Sequence, residues 1–599
     1  MYEIIIENER RLTSMNLNNQ TTVNVQEKSN LIWAIADLIR DFYKPHEYGK
    51  VILPMTVIKR FNDTLAPTKA KVLETYEKVK HLEVINGFLE TASEYQFYNT
   101  SVYDFEKLVN DSEHIEENFR DFLNGFSDNV LDILENFEFD REITKLANNG
   151  MLFLIIEAFN KPQAYMGADK ISAVDMGYIF EDLIKRFSES YDEDAGAHFT
   201  SRDIIYLMTD LLVAEDKDVL IEEGVTKTVY DMTMGTSQML TCMTERLTQL
   251  DADADVTVFG QELNPETYAI AKADMPIRGG NSDNMRKGNT LSDDKFSGYK
   301  FDYIISNPPF GVDWKVEKKA VEDEAKLGDN GRFSVGLPKI SDGQMLFDLN
   351  GIAKLKEDGR MAIIHNGSSL FTGSAESGES EIRRYMMEND WLDAIVQLST
   401  DVFYNTNITT YIWIISKDKP AHRQGKVQLI DASRMVVARR KNLGNKRNDI
   451  TEADREMIVR AYGEFANAIY ELDGKTCESK IFNNEDFGFN RIQIESPLYE
   501  DGVIVTKGKK NTPIADASKR DFENVPLVED IDSYFDREVK PYNSEAWIDK
   551  SKTKIGYEIP FTRYFYKYEA PECSEDIEKR LSLIESDIMT SLTKLFKEA

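Results

Sequence analysis

The sequence contains few of the residues on which disulfide frameworks and metal sites depend. Its three cysteines, Cys242, Cys477 and Cys573, lie far apart and form no CxxC pair, and its six histidines are scattered. This usage favours neither a disulfide framework nor a structural zinc site. A reducing cytoplasm is the compartment that we expect.

Long apolar runs are also lacking. No segment approaches the roughly 18 consecutive apolar residues of a membrane-spanning helix, and the first residues, MYEIIIENERRL, do not form a signal peptide pattern. We therefore expect no contact with a membrane. The 599 residues are too many for a single core, and a chain of this length predicts about three to five domains.

Positive charge is scarce as well. The 72 Lys and Arg residues face 105 Asp and Glu residues, which gives a net charge of −33. Affinity for nucleic acid depends mainly on Lys and Arg neutralising phosphates. If the substrate is DNA, we expect that a more basic partner holds it.

Changes in residue pattern divide the chain into five segments. We predict a polar lead-in (1–29), an α-helical domain (30–165), an α/β domain (170–435), a mixed and more charged region (436–570), and a carboxyl-terminal amphipathic helix (571–599).

Three of these segments show distinctive side-chain patterns. In the helical domain we predict one apolar face through Leu31, Ile35, Leu38 and Phe42, and further apolar positions at Val130, Ile133 and Leu134. The segment Arg434–Arg447 contains six cations and no acid. The last helix repeats apolar residues at spacing that suits a partner helix: Ile577, Leu581, Ile584, Ile588, Leu592 and Leu595.

In the α/β domain, short apolar runs of residues that favour β-strands alternate with segments of helical pattern. This alternation predicts a doubly wound sheet. The predicted strands are Lys227–Met232, Val256–Glu262, Phe301–Ser306, Arg360–His365, Ala394–Leu398 and Thr410–Ser416, with Val427–Ile430 as a possible addition. In such sheets ligands bind beyond the carboxyl ends of the strands.

The strand Phe301–Ser306 is followed directly by Asn307, Pro308, Pro309 and Phe310. Two prolines fix φ and remove two backbone donors, so nearby carbonyl groups stay free to accept. The Asn307 side chain and the Pro308 carbonyl can together accept both hydrogens of an exocyclic amino group, while Phe310 offers a stacking face. The pattern predicts methyl transfer to the amino group of a planar substrate. Asp313 and Trp314 nearby are either rim contacts or solvated surface.

A second turn suggests the methyl donor. Asp231 ends a strand, and Gly235, Thr236, Ser237 and Gln238 lead into a helix, where a glycine permits close approach of a ligand. Glu262 ends the next strand, and its carboxylate can accept from ribose hydroxyls. No GxGxxG or GxxxxGK[ST] motif is present, which favours a ribose-bearing cofactor without phosphate, S-adenosylmethionine.

Two loops could complete a cofactor site. The loop Gly196–Arg202 offers Phe199 and Thr200 as a cover for the methionine end, or it is only a loop with a helix N-cap at Thr200 or Ser201. The segment Gly288–Leu291 could contact the adenine of the cofactor, or it is a turn.

Together these motifs resemble the modification (M) subunit of type I restriction-modification systems, an adenine-N6 DNA methyltransferase. The resemblance covers nearly the whole chain. It is carried by Leu31–Asp63, Gly196–Arg202, Asp231–Leu240, Gly260–Asn264, Asn307–Phe310, Gly359–Leu370, Leu392–Lys417 and Phe487–Leu498.

The resemblance implies a Rossmann-like S-adenosylmethionine-dependent methyltransferase domain. It implies that the catalytic residues are Asn307, Pro308, Pro309 and Phe310. It also implies that S-adenosylmethionine is held by Ala197, His198, Phe199, Thr200, Ser201, Arg202, Asp231, Gly235, Thr236, Ser237, Gln238, Glu262 and Asn289.

The resemblance further implies partners: DNA reached through a complex, a specificity (S) subunit that reads the sequence, a restriction (R) subunit, and two M subunits for each S subunit. In this arrangement the segment 434–447 would face DNA and the last helix would pack on the S subunit.

The sequence departs from the family pattern at several positions. The cofactor turn reads Gly-Thr-Ser-Gln instead of a glycine-rich sequence, Met232 replaces a proline, Ser201 replaces another, and Asn289 stands where an aspartate is common. Two alternatives follow from the residues. The same chemistry could act on an RNA base or a protein glutamine, or the chain could be a catalytically weakened scaffold.

Overall fold

The computed structural model describes residues 25–44, 47–172, 175–177, 179–180, 182–183, 186, 200–215, 226–250, 254–277, 280–404, 406–443, 445–508, 512–567 and 573–597. The chain separates into two units, residues 1–558 and 559–599. No helix in the described part combines the length and apolar composition that crossing a membrane requires.

The first part of the larger unit is helical. Its helices are α1 (Val25–Ala36), α2 (Gly49–Leu65), α3 (Lys69–Val79), α4 (Asn86–Ser93), α5 (Phe105–Val109), α6 (Ile115–Asn124), α7 (Asp128–Asn136), α8 (Phe139–Asn148) and α9 (Met151–Phe159). As predicted, Val130, Ile133 and Leu134 are buried in their shared core.

The predicted apolar face of the first helix is wrong in its second half. Leu38 and Phe42 are 39% and 42% exposed, whereas Ile32, Ile35 and Ile39 are buried. The α-helix ends at Ala36 and continues as a 3₁₀ turn, Asp37–Ile39. The buried residues Ile32, Ile35 and Ile39 are spaced by three and four, so they form one helical stripe, and Leu38 lies beside it.

A ten-stranded sheet forms the centre of the larger unit. Its strands are β1 (Thr226–Asp231), β2 (Asp255–Glu262), β3 (Met285–Lys287), β4 (Phe301–Ser306), β5 (Leu355–Asn366), β6 (Leu392–Gln397), β7 (Thr410–Ser416), β8 (Lys426–Asp431), β11 (Ala468–Leu472) and β12 (Lys475–Asn483). The two intervening strands, β9 (Val437–Leu443) and β10 (Lys446–Asp449), form a separate hairpin.

The sheet order is β11-β12-β8-β6-β7-β5-β4-β1-β2-β3. Strands β3, β2, β1, β4 and β5 run parallel, and β7 runs antiparallel between β5 and β6. The predicted α/β class is confirmed. All seven strand segments predicted from sequence are strands, and β4 and β7 match to the residue. The sheet continues past residue 435, where we placed a boundary, through β11 and β12.

Helices cover the sheet. They are α10 (Arg202–Val213), α11 (Gln238–Leu250), α12 (Pro265–Ile277), α13 (Lys318–Ala325), α14 (Gln344–Lys354), α15 (Ser368–Phe371), α16 (Gly378–Glu388) and α17 (Glu452–Glu464). The neighbours Val229 and Tyr230 point to opposite faces of β1, and both are fully buried. Burial on both faces explains the continuous apolar runs of the central strands.

Helix α12 also joins the sheet to the amino-terminal helices. Its Ala269, Ile270 and Ala273 belong to the core of those helices. Lys272 on α12 forms an ion pair with Asp132 on α7. The helical part is therefore packed on the edge of the sheet that contains β2 and β3.

Past the sheet, residues 488–557 form a smaller β-structure. It contains β13 (Gly488–Glu495), β18 (Asp521–Pro526), β19 (Trp547–Ile548) and β20 (Lys554–Tyr557), the short strands β14 (Tyr499–Glu500), β15 (Val503–Ile504), β16 (Thr506–Lys507) and β17 (Thr512–Pro513), and α18 (Ile531–Glu538). The second unit contains α19 (Phe561–Phe565) and α20 (Ser574–Lys597).

A buried ionic cluster ties β6 to helix α17. Arg423 Nε donates to Asp393 Oδ1 over 2.7 Å, and both side chains are fully buried. Arg423 also donates to the Tyr462 carbonyl, and the Tyr462 hydroxyl bonds to Asp393. Burial on its own would raise the pKa of Asp393, but Arg423 and Arg360 hold it below its ordinary value. A charged carboxylate is thus stabilised inside the fold.

We expect Arg423→Leu to lower the free energy of unfolding by about 3 kcal/mol or more, because it leaves the Asp393 carboxylate buried with too few partners. The control is Arg384→Leu, which removes an arginine that is 33% exposed and paired with Glu388 over 2.8 Å; it should cost about 1 kcal/mol at most. Urea unfolding of both variants measures the difference. Equal losses would contradict the role of the cluster.

Candidate active site

Two turns meet where the neighbouring parallel strands β1 and β4 end. The Ser306 hydroxyl, last in β4, donates to Asp231 Oδ1, last in β1, over 2.7 Å. Thr233 Oγ1 lies 2.8 Å from the Ser306 oxygen, and its backbone N–H donates to Asp231 Oδ1 over 3.0 Å. These bonds hold the glycine-containing turn after β1 beside the Asn-Pro-Pro-Phe turn after β4.

Asp231 is fully buried, and its burial disfavours the charged form of the carboxyl group. Burial raises the pKa of Asp231 to about 7, although the bonds from Ser306 and Thr233 favour the charged form. Its Oδ2 atom is buried with no hydrogen-bond partner in the described part of the chain. The carboxyl group therefore titrates close to neutral pH.

The turn after β1 has a shape that glycine favours at two positions. Gly235 has φ +52° and Ser237 has φ +68°. The Ser237 side chain is buried, and a left-handed conformation at such a residue costs about 1 kcal/mol. The Gly-Thr-Ser-Gln sequence thus departs from the family pattern, but its backbone keeps left-handed conformations at both positions.

Glu262 is fixed at the end of β2 by two backbone groups. Its Oε2 accepts from the Gly235 N–H over 2.8 Å, and its Oε1 accepts from the Asn264 N–H over 2.7 Å. The side chain is 6% exposed. Hydrogen bonds therefore join the turn after β1 to Glu262, the predicted ribose-binding carboxylate.

A cavity of about 210 Å³ lies between these elements. Seven of the site residues predicted from sequence line it: Thr200, Thr236, Gln238, Glu262, Asn289, Asn307 and Pro309. Asp231, Gly235 and Ser237 do not line it but support the turn that does. The segments after β1, β2 and β4 are thus brought to one space, as expected for the carboxyl ends of a parallel sheet.

Asn307 presents an acceptor to this cavity. Its Nδ2 donates to Thr200 Oγ1 over 2.9 Å. Its Oδ1 is buried and has no hydrogen-bond partner among the described residues. Since a buried acceptor left without a partner is costly, the position suits a donor supplied by a ligand.

The other predicted residues take different places. Pro308 is buried, and Phe310 is half-buried against the core of the sheet. Ser201 occupies the N-cap position of α10, but its side chain makes no capping bond, and Arg202 begins the helix. Ala197, His198 and Phe199 lie outside the described residues, so their predicted contacts stay predictions.

Two cavity residues had been offered from sequence only as alternatives. Asp313 and Trp314, either rim contacts or solvated surface, both line the cavity. Trp314 is 3% exposed, so it is not solvated surface, and its Nε1 donates to the Lys339 carbonyl over 3.0 Å. Phe347 on α14 and Glu317 before α13 also line the cavity and were not predicted, because neither belongs to a short motif.

The residues present fit a nucleoside-bearing ligand. Glu262 supplies acceptors for sugar hydroxyls, while Met232, Leu291 and Phe347 supply apolar surface for a base. Asn307, whose buried Oδ1 has no hydrogen-bond partner among the described residues, lines the same space. The cavity therefore joins a possible cofactor site to a possible amino-group acceptor.

Two family models match the chain. One described as N-6 DNA Methylase matches residues 172–490, and one described as HsdM N-terminal domain matches residues 28–159. The first model covers more than half of the sequence.

Individual relatives agree with these matches. The type I restriction enzyme MjaIX methylase subunit of Methanocaldococcus jannaschii is 23% identical over 81% of this chain and 83% of its own length. The HindI methylase subunit of Haemophilus influenzae is 24% identical over 67% of this chain and 82% of its own. A type I restriction-modification methyltransferase subunit from Streptococcus thermophilus shares the fold, with a TM-score of 0.60 and 24% identity over 78% of this chain and 97% of that one.

We expect Asp231→Asn to change the pH dependence of stability. The folded-state pKa of Asp231 is raised, so its contribution is complete below the unfolded value near 4 and is lost as pH rises through about 7. The thermal midpoint of the native protein relative to the variant should therefore fall between about pH 4 and pH 7 and stay level above that range.

Asp323→Asn is the matched control, because the pKa of exposed Asp323 is lowered by its bond to Lys326. Its difference from the native protein should not fall over the same range. A constant or rising difference for Asp231→Asn would show that this carboxyl group does not titrate as described.

Proposed function

This chain belongs to the N-6 DNA methylase family, and we propose that it transfers a methyl group from S-adenosylmethionine to the N6 amino group of adenine in DNA. With an HsdM N-terminal domain ahead of the methylase region, it is a methylation subunit of the type I restriction-modification kind. The observation that carries the proposal is the buried, unpaired Asn307 Oδ1 in the wall of the cavity that Glu262 also lines.

The chemistry requires that the adenine nitrogen become a better nucleophile. Asn307 Oδ1 and the Pro308 carbonyl accept the two amino hydrogens, which raises electron density on a nitrogen that is otherwise conjugated into the ring. Thr200 supports this role because its hydroxyl accepts from Asn307 Nδ2 and leaves Oδ1 directed to the substrate. Bound S-adenosylmethionine supplies the electrophilic methyl group.

The target base must leave the helix stack before it can reach Asn307. Phe310, directly after the two prolines, would stack on the flipped base. Its half-buried ring is held by the sheet core on one side, which would let it offer the other face. Pro309 lines the cavity and would exclude water beside the reacting nitrogen.

The cofactor would be held by the turn after β1 and by Glu262. The Glu262 carboxylate, already oriented by Gly235 and Asn264, would accept from the ribose hydroxyls. Thr236 and Gln238 line the same wall. The loop 197–202 would cover the methionine end, with Phe199 and Thr200 nearest to it. The left-handed backbone at Ser237 speaks against a scaffold that has lost its cofactor turn.

DNA binding would require the rest of the complex, because the chain carries a net charge of −33. On the β9–β10 hairpin and the residues before it, Arg434, Arg440 and Arg447 are exposed and could meet phosphates. Lys446 could not, because it is buried and bonds to Asp203 over 2.8 Å. We propose that an S subunit chooses the sequence, that two M subunits join each S subunit, and that an R subunit completes the assembly.

We also propose the division into segments 1–29, 30–165, 170–435, 436–570 and 571–599, in which β11 and β12 of the fourth segment complete the sheet of the third. The HsdM match at 28–159 supports the second of them. The HsdM match also weakens the alternative that this chain is a methyltransferase acting on an RNA base or a protein glutamine.

The central test is Asn307→Ala in the chain co-expressed with its neighbouring S subunit. Loss of the amino-group acceptor should reduce methylation at least about 100-fold, measured by sequencing host DNA for N6-methyladenine. Asn330→Ala, at an exposed turn, is the control and should methylate like the native protein. Equal methylation by Asn307→Ala would refute the proposed function.

A second prediction concerns docking by helix α20. Leu581 and Ile584 are 61% and 50% exposed on its apolar face. Changing both to Asp should abolish co-purification with the S subunit, as should deletion of 577–599, because a charged face cannot pack on an apolar partner helix. Ser582→Asp with Ser586→Asp, on the polar side, should leave co-purification intact. Retained binding by the Leu581, Ile584 variant would overturn the docking role.

A further inference from the structure

We propose that Glu317 recognises the amino group on the adenine ring of the cofactor, and that Asn289 acts only by positioning it. The proposal rests on the proposed function, because it concerns the same cavity. It assigns cofactor specificity to a residue outside the sequence motifs.

The Asn289 side chain has no acceptor left for a ligand. Its Oδ1 accepts from the backbone N–H groups of Leu291 over 2.9 Å and Ser292 over 3.3 Å. Its Nδ2 donates to Glu317 Oε1 over 2.8 Å. Two N–H donors on one side and a carboxylate on the other fix which way the amide faces. Asn289 therefore cannot accept a hydrogen bond from an amino group as an aspartate could.

Glu317 has the capacity that Asn289 lacks. It is the residue before α13, but its side chain makes no capping bond to that helix. It lines the cavity instead, with Oε1 bonded to Asn289. Within the described residues, no hydrogen bond or ion pair occupies its Oε2 atom, which leaves a strong acceptor in the cavity wall.

The other two carboxylates of the cavity have other roles. Each oxygen of Glu262 accepts from one backbone N–H of the turns, and its remaining lone pairs are the ones proposed for the ribose hydroxyls. Asp313 is exposed and forms an ion pair with Lys315 over 2.9 Å. Glu317 is thus the carboxylate best placed to select a ligand by its hydrogen-bond donor.

The loop that carries Asn289, the hydrogen-bond partner of Glu317, lies next to the proposed ribose-binding residue. The Gly288 N–H donates to the Glu262 carbonyl over 2.9 Å. This bond places Asn289 beside Glu262 in the cavity wall, in the same way that the base of a nucleoside lies beside its sugar. Arg332 holds this loop by donating to the Thr290 and Leu291 carbonyls. Leu291, which lines the cavity, offers an apolar surface to the ring.

A carboxylate here discriminates by charge and by hydrogen bonding. The adenine amino group donates to it in a charge-assisted bond. A ring with a keto oxygen at the same position offers only an acceptor there. The Glu317 carboxylate would repel this oxygen, and neither acceptor would gain a hydrogen bond. Sites built around one buried polar contact reject analogues that lack the matching group.

The test is to measure by calorimetry how S-adenosylhomocysteine and S-inosylhomocysteine bind to the full chain. The first ligand has an amino group on its purine ring where the second has a keto oxygen. The native protein should prefer the adenosyl ligand by about tenfold or more. Glu317→Gln should lose most of this preference, because a glutamine amide can donate to the keto oxygen as well as accept. Glu322→Gln, one helical turn away and 43% exposed, should keep the preference.

The outcomes separate the two claims. If the native chain binds S-adenosylhomocysteine and Glu317→Gln discriminates as strongly as the native chain, the role of Glu317 is refuted and the proposed function stands. If the folded native chain binds neither ligand, the cofactor assignment fails and this inference fails with it.

Discussion

The hydrogen bond between the Ser306 hydroxyl and the Asp231 carboxyl group joins the ends of β1 and β4, and the active site depends on it. Strand β1 leads into the turn that contacts Glu262, and strand β4 leads into Asn307. Backbone pairing of β1 with β4 brings these turns to one edge of the sheet. The Ser306–Asp231 bond then ties the two strand ends together beyond the last paired residues, and residues of both turns line one cavity.

Much of this arrangement could be predicted because its signals are local. The runs Phe301–Ser306 and Thr410–Ser416 are mostly apolar and are buried at every position, and their boundaries were predicted to the residue. Asn307 and Glu262 follow strand ends directly, so their neighbours in sequence are also their neighbours in the site. The family match agrees with the reaction class that these residues suggested.

The rest depends on contacts that sequence spacing does not reveal. Phe347 and Glu317 reach the cavity from a helix and a loop whose direction is decided by packing. Asn289 lines the cavity, but sequence could not show that its Oδ1 accepts from Leu291 and Ser292 and that its Nδ2 donates to Glu317. On the first helix the buried stripe runs through Ile32, Ile35 and Ile39, and Leu38 and Phe42 lie beside it. Acidic composition and an exposed apolar helix still predict a chain that works only within an assembly.

A crystal structure of the chain with S-adenosylhomocysteine tests the central claim most directly. We expect the ligand in the cavity between β1 and β4, with its ribose hydroxyls on Glu262 and its sulfur facing the Asn307 side. A ligand bound elsewhere, or bound in this cavity with its sulfur turned away from Asn307, would contradict the proposed site.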